Sequence, residues 1–373
     1  MSVNLTNGVI PFTELFERLM TLAKIDSFNN EDYAKGLAND AYTRALPGIF
    51  DWNPIIKEGS LTMTAAYNTG TVSCSAGGTV VTGLGTTWTG GMTIGNGWRI
   101  KFAGYSIVYE FTYISATSAS INPALEGAVD MTSSGYNLYR DEYSLPSDFD
   151  RLLKNGSIYA YQGGRLYNTI GELPRDQFRA GFLPEPMDPI FRCILTRTDS
   201  SGNRMVRLNP PPKTAKIYPF DYVQKITPMK EYTIGTASAV LGSTVVTGAG
   251  TLFLTNAAAG MYFRNDTIGV GDSSKWYQIA SVDSNTQLTL TSAYSDATDS
   301  GIAYTVCSAP SAFPSEFHEF ILYESVSVSV ASADDPNTKI MIAKRMDVLN
   351  RLKSNYKSRR SNQQFGVDDD GYR

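Results

Sequence analysis

Apolar side chains near the start of the chain recur at helical spacing. Phe12, Leu15, Phe16, Leu19, Leu22 and Ala23 fall at i, i+3, i+4 and i+7, and Thr13 is placed to cap the helix they predict. A second helix comes after it. Asn29-Asn30 suit its N-cap, Glu31-Asp32 suit the positive end of its dipole, and Pro47-Gly48 stop it. Its stripe pairs Tyr33/Ala34, Leu37/Ala38, Ala41/Tyr42 and Ala45/Leu46; most of these are alanine, so another helix can approach closely. Phe50-Asp51-Trp52-Asn53-Pro54 comes next, then a short strand near 61–65.

The period then changes to two. Val72, Cys74 and Ala76 point one way and Thr71, Ser73 and Ser75 the other; Gly77-Gly78 turn the chain into Thr79-Val80-Val81-Thr82, and Gly83 and Gly85 turn it again. Further strands are predicted at 98–102, 107–114 and 135–139. The passage recurs. Residues 70–86 and 235–251 are identical at 11 of 17 positions, at an offset of 165. The match continues through Tyr113-Ile114-Ser115 against Gln278-Ile279-Ala280. It closes with Leu145-Pro146-Ser147-Asp148-Phe149 against Phe313-Pro314-Ser315-Glu316-Phe317, so both copies lead into the rest of the protein through the same step. A unit repeated within one chain is one module used twice. In the second copy Ala237, Ala239 and Leu241 are in phase, with Gly242-Ser243 at the turn.

Between the copies, 191–195 and 205–208 flank the polar turn Asp199-Ser200-Ser201-Gly202-Asn203; Pro210-Pro211-Pro212 end that strand and 217–220 resume. The C-terminal part returns to helix. Pro314-Ser315-Glu316 open one, with Ser315 as cap and Phe317, Phe320, Ile321 and Val328 on one face; the alternating string at 325–332 is assigned to it. Pro336 starts another, through Ile340, Ala343, Met346, Leu349 and Leu352. The prediction is an α+β protein. Terminal α-helices and a small β-rich body form a discontinuous core (1–66, 141–232, 308–373). Two homologous all-β modules of Ig-like or small-barrel type are inserted at 67–140 and 233–307, and 361–373 form a flexible tail.

Composition narrows the function. At 373 residues the chain holds two or three domains, and a net charge of −4 speaks against a general nucleic-acid binder. The first residues carry no basic and apolar leader pattern, and no stretch approaches the roughly 18 apolar residues of a membrane span. Cys74, Cys193 and Cys307 are widely spaced and odd in number, which suits small core residues better than a disulfide framework or a zinc site. The single histidine, His318, has Glu316 and Glu319 as sequence neighbours, but such neighbours do not face each other on a helix. Gly83-Leu84-Gly85 and Gly248-Ala249-Gly250 lack the Lys-Ser/Thr of a phosphate loop and read as strand turns. Asp148 and Asp150 read as a solvated helix entry, and the basic run 353–360 as a helix end. No catalytic, metal or cofactor residues are assigned, and the expectation is a non-enzymatic assembly component.

Several motifs add a resemblance. They are Ala41-Tyr42 with Ala45-Leu46, Trp52-Asn53, Lys57-Glu58-Gly59-Ser60-Leu61-Thr62, Tyr143-Ser144-Leu145-Pro146-Ser147-Asp148-Phe149, Leu208-Asn209-Pro210-Pro211-Pro212 and Phe313-Pro314-Ser315-Glu316-Phe317. In this order the framework, about 10–65, 140–230 and 310–360, resembles the head-to-tail adaptor (connector) of tailed bacteriophages, in particular the tail tubular protein A (gatekeeper) family of short-tailed phages. The second module departs from that pattern. The resemblance implies a virion protein of the neck, assembled in the host cytoplasm as a ring of usually twelve copies. Its implied partners are itself, the portal protein, the tail nozzle protein, and tail fibres or spikes; genomic DNA passes the lumen without specific binding. It also implies portal contact by the C-terminal helix and tail, here Lys353, Tyr356, Arg359, Arg360, Phe365, Tyr372 and Arg373, and ring packing by Tyr33, Leu37, Ala38, Ala41 and Ala45. The rival readings are a tail fibre or receptor-binding protein with carbohydrate-binding modules, and a polysaccharide depolymerase.

Overall fold

The computed structural model describes residues 8–24, 27–153, 158–162, 165–267, 275–329 and 336–356. The fold is mixed α/β, mostly strand, with four antiparallel sheets among the described residues. It divides into two compact units, Met1–Ile55 with Ile226–Arg373, and Ile56–Lys225. The chain does not divide along the expected boundaries of 1–66, 141–232 and 308–373. The β body and the first copy share one unit, and the helices and the second copy share the other. The cause lies in one strand pair. β1 (Ile56–Thr62) pairs along its whole length with the strand Ile217–Gln224, so entry to and exit from the unit 56–225 lie side by side.

In the first unit, α1 (Phe12–Ala23) and α2 (Ser27–Asp40) lead into a π-helical turn (Ala41–Ala45) and the short α3 (Leu46–Ile49). Three sequence expectations are corrected. Thr13 does not cap α1: Pro11 holds that position, and Thr13 Oγ1 instead donates to Glu231 Oε1 at 2.6 Å. α2 begins at Ser27, so Asn29-Asn30 lie inside it rather than before it. Pro47 does not stop the helix. It sits within α3, and the wider π turn ahead of it relieves the clash a proline ring makes with the preceding turn. The chain leaves helix at Phe50, which is extended.

The unit 56–225 continues with β2 (Thr71–Cys74), β3 (Val80–Leu84), β4 (Trp98–Phe102), β5 (Val108–Ser115), β6 (Ser118–Asn122), β7 (Met131–Ser134) and β8 (Tyr136–Arg140). Its body holds β9 (Glu142–Ser144), β10 (Phe149–Leu152), β11 (Ile158–Gln162), β12 (Arg165–Ile170), α4 (Arg175–Ala180), β13 (Arg192–Thr198), β14 (Arg204–Asn209) and β15 (Ile217–Gln224). The chain then re-enters the first unit through β16 (Glu231–Tyr232), β17 (Thr236–Ala239), β18 (Val245–Ala249), α5 (Phe253–Asn256), β19 (Tyr262–Asn265), β20 (Tyr277–Ser284), β21 (Gln287–Leu290), β22 (Asp299–Ile302) and β23 (Tyr304–Cys307), and ends in α6 (His318–Ser329) and α7 (Pro336–Tyr356).

The two repeated segments have the same strand order. The first sheet runs β7-β2-β3-β6-β5-β4-β8 and the second β22-β17-β18-β21-β20-β19-β23, with β16 added beyond β23. In each, the last two strands lie at opposite ends of the seven-strand order the copies share, yet are joined by a single residue, Gly135 or Ala303. Such a sheet must curl so that its two ends approach each other, in the manner of a half-barrel. The cores are equivalent: Val72, Cys74, Val81 and Trp88 in one, Ala237, Ala239, Val246 and Phe253 in the other. Leu241, expected in phase with these, is exposed past the end of β17. On the long fifth strand the register differs from the sequence match. Phe111 opposes Ile121 and Ile279 opposes Leu290, so Phe111 rather than Ile114 is the counterpart of Ile279.

The shared sequence Thr-Val-Val-Thr-Gly-x-Gly-Thr has a physical account. Thr86 Oγ1 donates to the Ala116 carbonyl at 2.9 Å and Thr251 Oγ1 to that of Asn285 at 2.6 Å. The Gly83 and Gly248 amides bond Thr117 and Thr286 carbonyls at 2.9 and 2.8 Å. Tyr67 OH accepts the Thr87 amide and Tyr232 OH the Leu252 amide, at 2.8 and 2.7 Å. Gly70 and Gly235 open the repeat at φ +84° and +92°. A Cβ there would lie 2.4 Å from the Leu84 carbonyl oxygen or 2.6 Å from that of Ala249. Only glycine fits such an approach.

The β body packs the sheet β1-β15-β11-β12, with β10 also on β15, and the sheet β13-β14-β9 around one core that includes Leu61, Tyr143, Phe149, Ile158, Cys193, Leu208 and Phe220. The hairpin at 199–203 forms as expected, with Asp199 Oδ1 accepting the Ser201 and Asn203 amides at 2.9 Å. All three cysteines are buried and free. Among the helices, α6 packs on α1, α2 and α7. Ser315 makes no side-chain cap, and the string at 325–332 is helical as far as Ser329; the rest of it lies outside the described residues. Val328 is exposed rather than on the buried face.

Gly70→Ala and Gly235→Ala each are expected to lower stability by ~2 kcal/mol or more, because left-handed strain and a backbone clash coincide. Gly36→Ala, in α2 with open space beside it, is expected to be neutral or stabilising. Urea unfolding followed by tryptophan fluorescence checks this; a Gly70→Ala chain as stable as the unmodified protein contradicts the account.

Candidate functional site

The residues assigned to portal contact lie at the end of α7 and beyond. Lys353 places its ammonium 4.8 Å from the centroid of the Phe50 ring. Tyr356 packs its ring 5.0 Å from Phe317 and donates its hydroxyl to Glu316 Oε1 at 3.1 Å. Both therefore anchor the end of α7 on their own chain. Arg359, Arg360, Phe365, Tyr372 and Arg373, with the tail 361–373, lie outside the described residues. Of the ring-packing set, Tyr33 is 51% exposed, and Leu37 and Ala45 are half-buried. Ala38 and Ala41 are corrected: they are buried among the chain's own helices and so have no surface to offer a neighbour.

The α7 stripe also divides. Val348, Leu349 and Leu352 are buried, whereas Ile340, Ile342 and Met346 are exposed. The helix is pinned by its second half, helped by an Arg345–Glu324 ion pair to α6, while the apolar face of its first half is left open. Spacing alone places Ile340 and Met346 on the same stripe as Leu349 and does not reveal where the supporting helices end.

His318 is buried and opens α6. Its Nδ1 accepts the Ile10 amide at 3.0 Å, and Nε2 is buried without a partner. Burial pushes its pKa down from 6.5 to about 4, against the pull of the Phe313 and Pro310 carbonyls and of Glu316. The imidazole is thus a neutral structural acceptor at pH 7. Asp148 does not enter a helix: Phe149 opens β10, and Asp148 accepts from Lys57 Nζ at 2.6 Å and from Tyr222 OH at 2.8 Å. Among the described residues no group of three or more His, Cys, Asp and Glu gathers as a metal site would require, and no helix is long and apolar enough to cross a membrane.

The densest charged arrangement has no counterpart among the sequence expectations. Asp141, fully buried between β8 and β9, accepts from Arg99 Nε at 3.0 Å and from Arg207 Nε at 2.8 Å. Glu142 accepts from Arg99 Nη2 at 2.8 Å and from Arg197 Nε at 3.1 Å. Arg197 also reaches the Ile94 carbonyl, and Arg207 stacks 4.7 Å over Phe182. Arg99 is on β4 of the first copy, Arg207 and Arg197 on β14 and β13 of the body, so the cluster fastens the two within one unit. Burial lowers the Arg99 pKa, but Asp141 and Glu142 outweigh it and hold it above the ordinary value. Burial likewise pushes Asp141 up, against the pull of Arg207 and Arg99. The partners come from strands 42 and 66 residues away, beyond any local spacing signal.

Asp141→Asn removes a fully buried charge that two half-buried guanidiniums share and is expected to cost ~3 kcal/mol, whereas Lys57→Ala, at an exposed pair, costs ~0–1 kcal/mol; equal urea midpoints for the two variants contradict this. For His318, the unfolded chain binds a proton between pH 6.5 and about 4 that the folded chain does not. Stability is therefore full above pH 6.5 and falls by on the order of 3 kcal/mol as pH drops toward 4. Chemical denaturation across that window checks this, and His318→Asn, which keeps an acceptor for Ile10, should flatten the dependence.

The chain matches no protein-family model and no curated protein. Among solved structures, translation elongation factor SelB from Methanococcus maripaludis, in its apo form, is 10% identical over 68% of this chain and 62% of that one, with a TM-score of 0.15. A similarity that low carries no argument about fold or function.

Proposed function

We propose that the chain is a non-enzymatic head-to-tail adaptor of a short-tailed phage. It forms a ring that joins the portal to the tail nozzle and extends the DNA channel, with a discontinuous scaffold carrying two homologous inserted barrels. The observation that carries this reading is the pair of copies with one strand order, each set on a different part of a helix-bearing scaffold. One module used twice on a rigid frame suits a protein that holds neighbours, and the framework motifs supply the phage resemblance. The exposed Ile342 and Met346, one turn apart on α7, support it, since adjacent exposed apolar residues suit an interaction surface. The barrels project toward fibres or spikes. The portal is held by the residues beyond α7, whose Phe, Tyr and Arg side chains suit interface anchors.

Negative-stain imaging of the protein mixed with portal rings is expected to show a second ring beneath the portal. Deleting 361–373 is expected to weaken attachment at least ~10-fold, the loss of about 1.4 kcal/mol or more of contact. Unchanged attachment rejects the role of the tail, and the absence of any ring on the portal rejects the adaptor.

A further inference from the structure

A cleft of about 570 Å³ opens in the unit 56–225, between the first copy and the β body. Its size lies in the range of ligand clefts, ~300–1,000 Å³. Five arginines line it: Arg99 from β4, Arg175 and Arg179 from α4, Arg197 from β13 and Arg207 from β14. Against them stand Glu110 and Glu142 at the lining and Asp141 behind it, so positive charge is in excess. The excess has a definite location. Arg99, Arg197 and Arg207 are held by Asp141 and Glu142, while among the described residues no carboxylate pairs with Arg175 or Arg179. Those two lie one turn apart on α4 and so share one side of the helix. The half-buried Phe182 adds apolar surface to the same lining.

We propose that this cleft is a receptor for an acidic peptide segment of a partner chain. Guanidinium forks bind carboxylates through paired hydrogen bonds, and Arg175 and Arg179 supply two that are not already committed. The cluster on Asp141 and Glu142 fixes the cleft wall before any ligand arrives, which lowers the ordering cost of binding. A bare inorganic anion would meet the guanidiniums and leave Phe182 wet. A peptide that alternates acidic and apolar side chains covers both. A nucleic-acid strand needs cations tracking several successive phosphates, whereas here the unpaired charge sits on one helical turn. The inference does not depend on the adaptor reading.

The test uses the full chain and a fluorescein-labelled peptide of alternating aspartate and phenylalanine, read by anisotropy at low and high salt. Saturable binding is expected, weakened by salt and reduced at least ~10-fold in Arg175→Ala/Arg179→Ala, with the melting temperature unchanged. Arg179→Glu alone, an exposed change, should reduce it as well and gives a second variant should the double one fold poorly. Replacing both arginines with lysine should restore part of the affinity, because charge returns without the fork. The proposal is overturned by absence of saturable binding, by equal binding to the variants, or by inorganic triphosphate or a single-stranded oligonucleotide competing better than unlabelled peptide.

Discussion

Each copy is governed by one constraint: its last two strands are consecutive in the chain and lie at opposite ends of the seven-strand order that the copies share. A single residue bridges them, Gly135 in one copy and Ala303 in the other. The sheet has no freedom to stay flat, and several shared features of the two copies serve its curvature. The glycine at the head of each repeat lets the backbone pass under a carbonyl. The threonine that ends the signature ties its turn to the next hairpin. Tyr136 and Tyr304 reach from the closing strand to the carbonyls of Thr69 and Ile234, at 2.7 and 2.6 Å. Several of the identical residues of the repeat are therefore those that shape the turns and the curvature. Among the core side chains Val81 and Val246 are the same, while others, which need only fill a volume, vary between copies: Val72 and Ala237, Trp88 and Phe253.

Each copy is also fastened through its outer face. Both copies use an arginine on the strand next to the closing one, and each finds different partners. Arg99 on β4 meets Asp141 and Glu142. Arg264 on β19 meets Glu17 of α1 at 3.0 Å and Asp266 at 2.6 Å, and stacks 4.6 Å over Trp276. Burial lowers the Arg264 pKa, but Glu17 and Asp266 more than compensate and hold it above the ordinary value. Arginine suits this role because it stays charged when desolvated and its fork satisfies two carboxylates at once. Such clusters are costly to break from one side and specify which face is fastened. One copy is thus pinned to a β sheet body and its sister to a helix with no change of topology.

The sequence is most legible where period and turn chemistry agree. The two repeats, the hairpin at 199–203 and both C-terminal helices have the kind of structure their patterns predict. Boundaries fail where a residue has two possible uses. Thr13 looks like a cap because it opens an apolar run, but Glu231, 218 residues away, takes its hydroxyl. Pro47 looks like a stop because a π turn leaves no local signature. The alanine stripe looks like an exposed ring contact, yet Ala38 and Ala41 are consumed by α6, which comes nearly three hundred residues later. The arginine cleft is invisible for the same reason: its members share no window of sequence.

The limit of local reading is clearest in one repeated peptide. Leu145-Pro146-Ser147-Asp148-Phe149 and Phe313-Pro314-Ser315-Glu316-Phe317 make the same tight turn, with the Phe amide donating to the Pro carbonyl at 3.0 Å in both. After that turn the first becomes strand and the second helix. Asp148 is held by Lys57 on β1 and by Tyr222 on β15, so the next residues fall into the ladder of that sheet. Glu316 meets the hydroxyl of Tyr356 instead of a strand, and Phe317 closes on Trp52 at 5.2 Å and on Phe313 at 4.9 Å. The propensity of the five residues is nearly equal in the two places. The difference is whether a neighbouring strand presents unpaired amides and carbonyls, and that is a property of the frame.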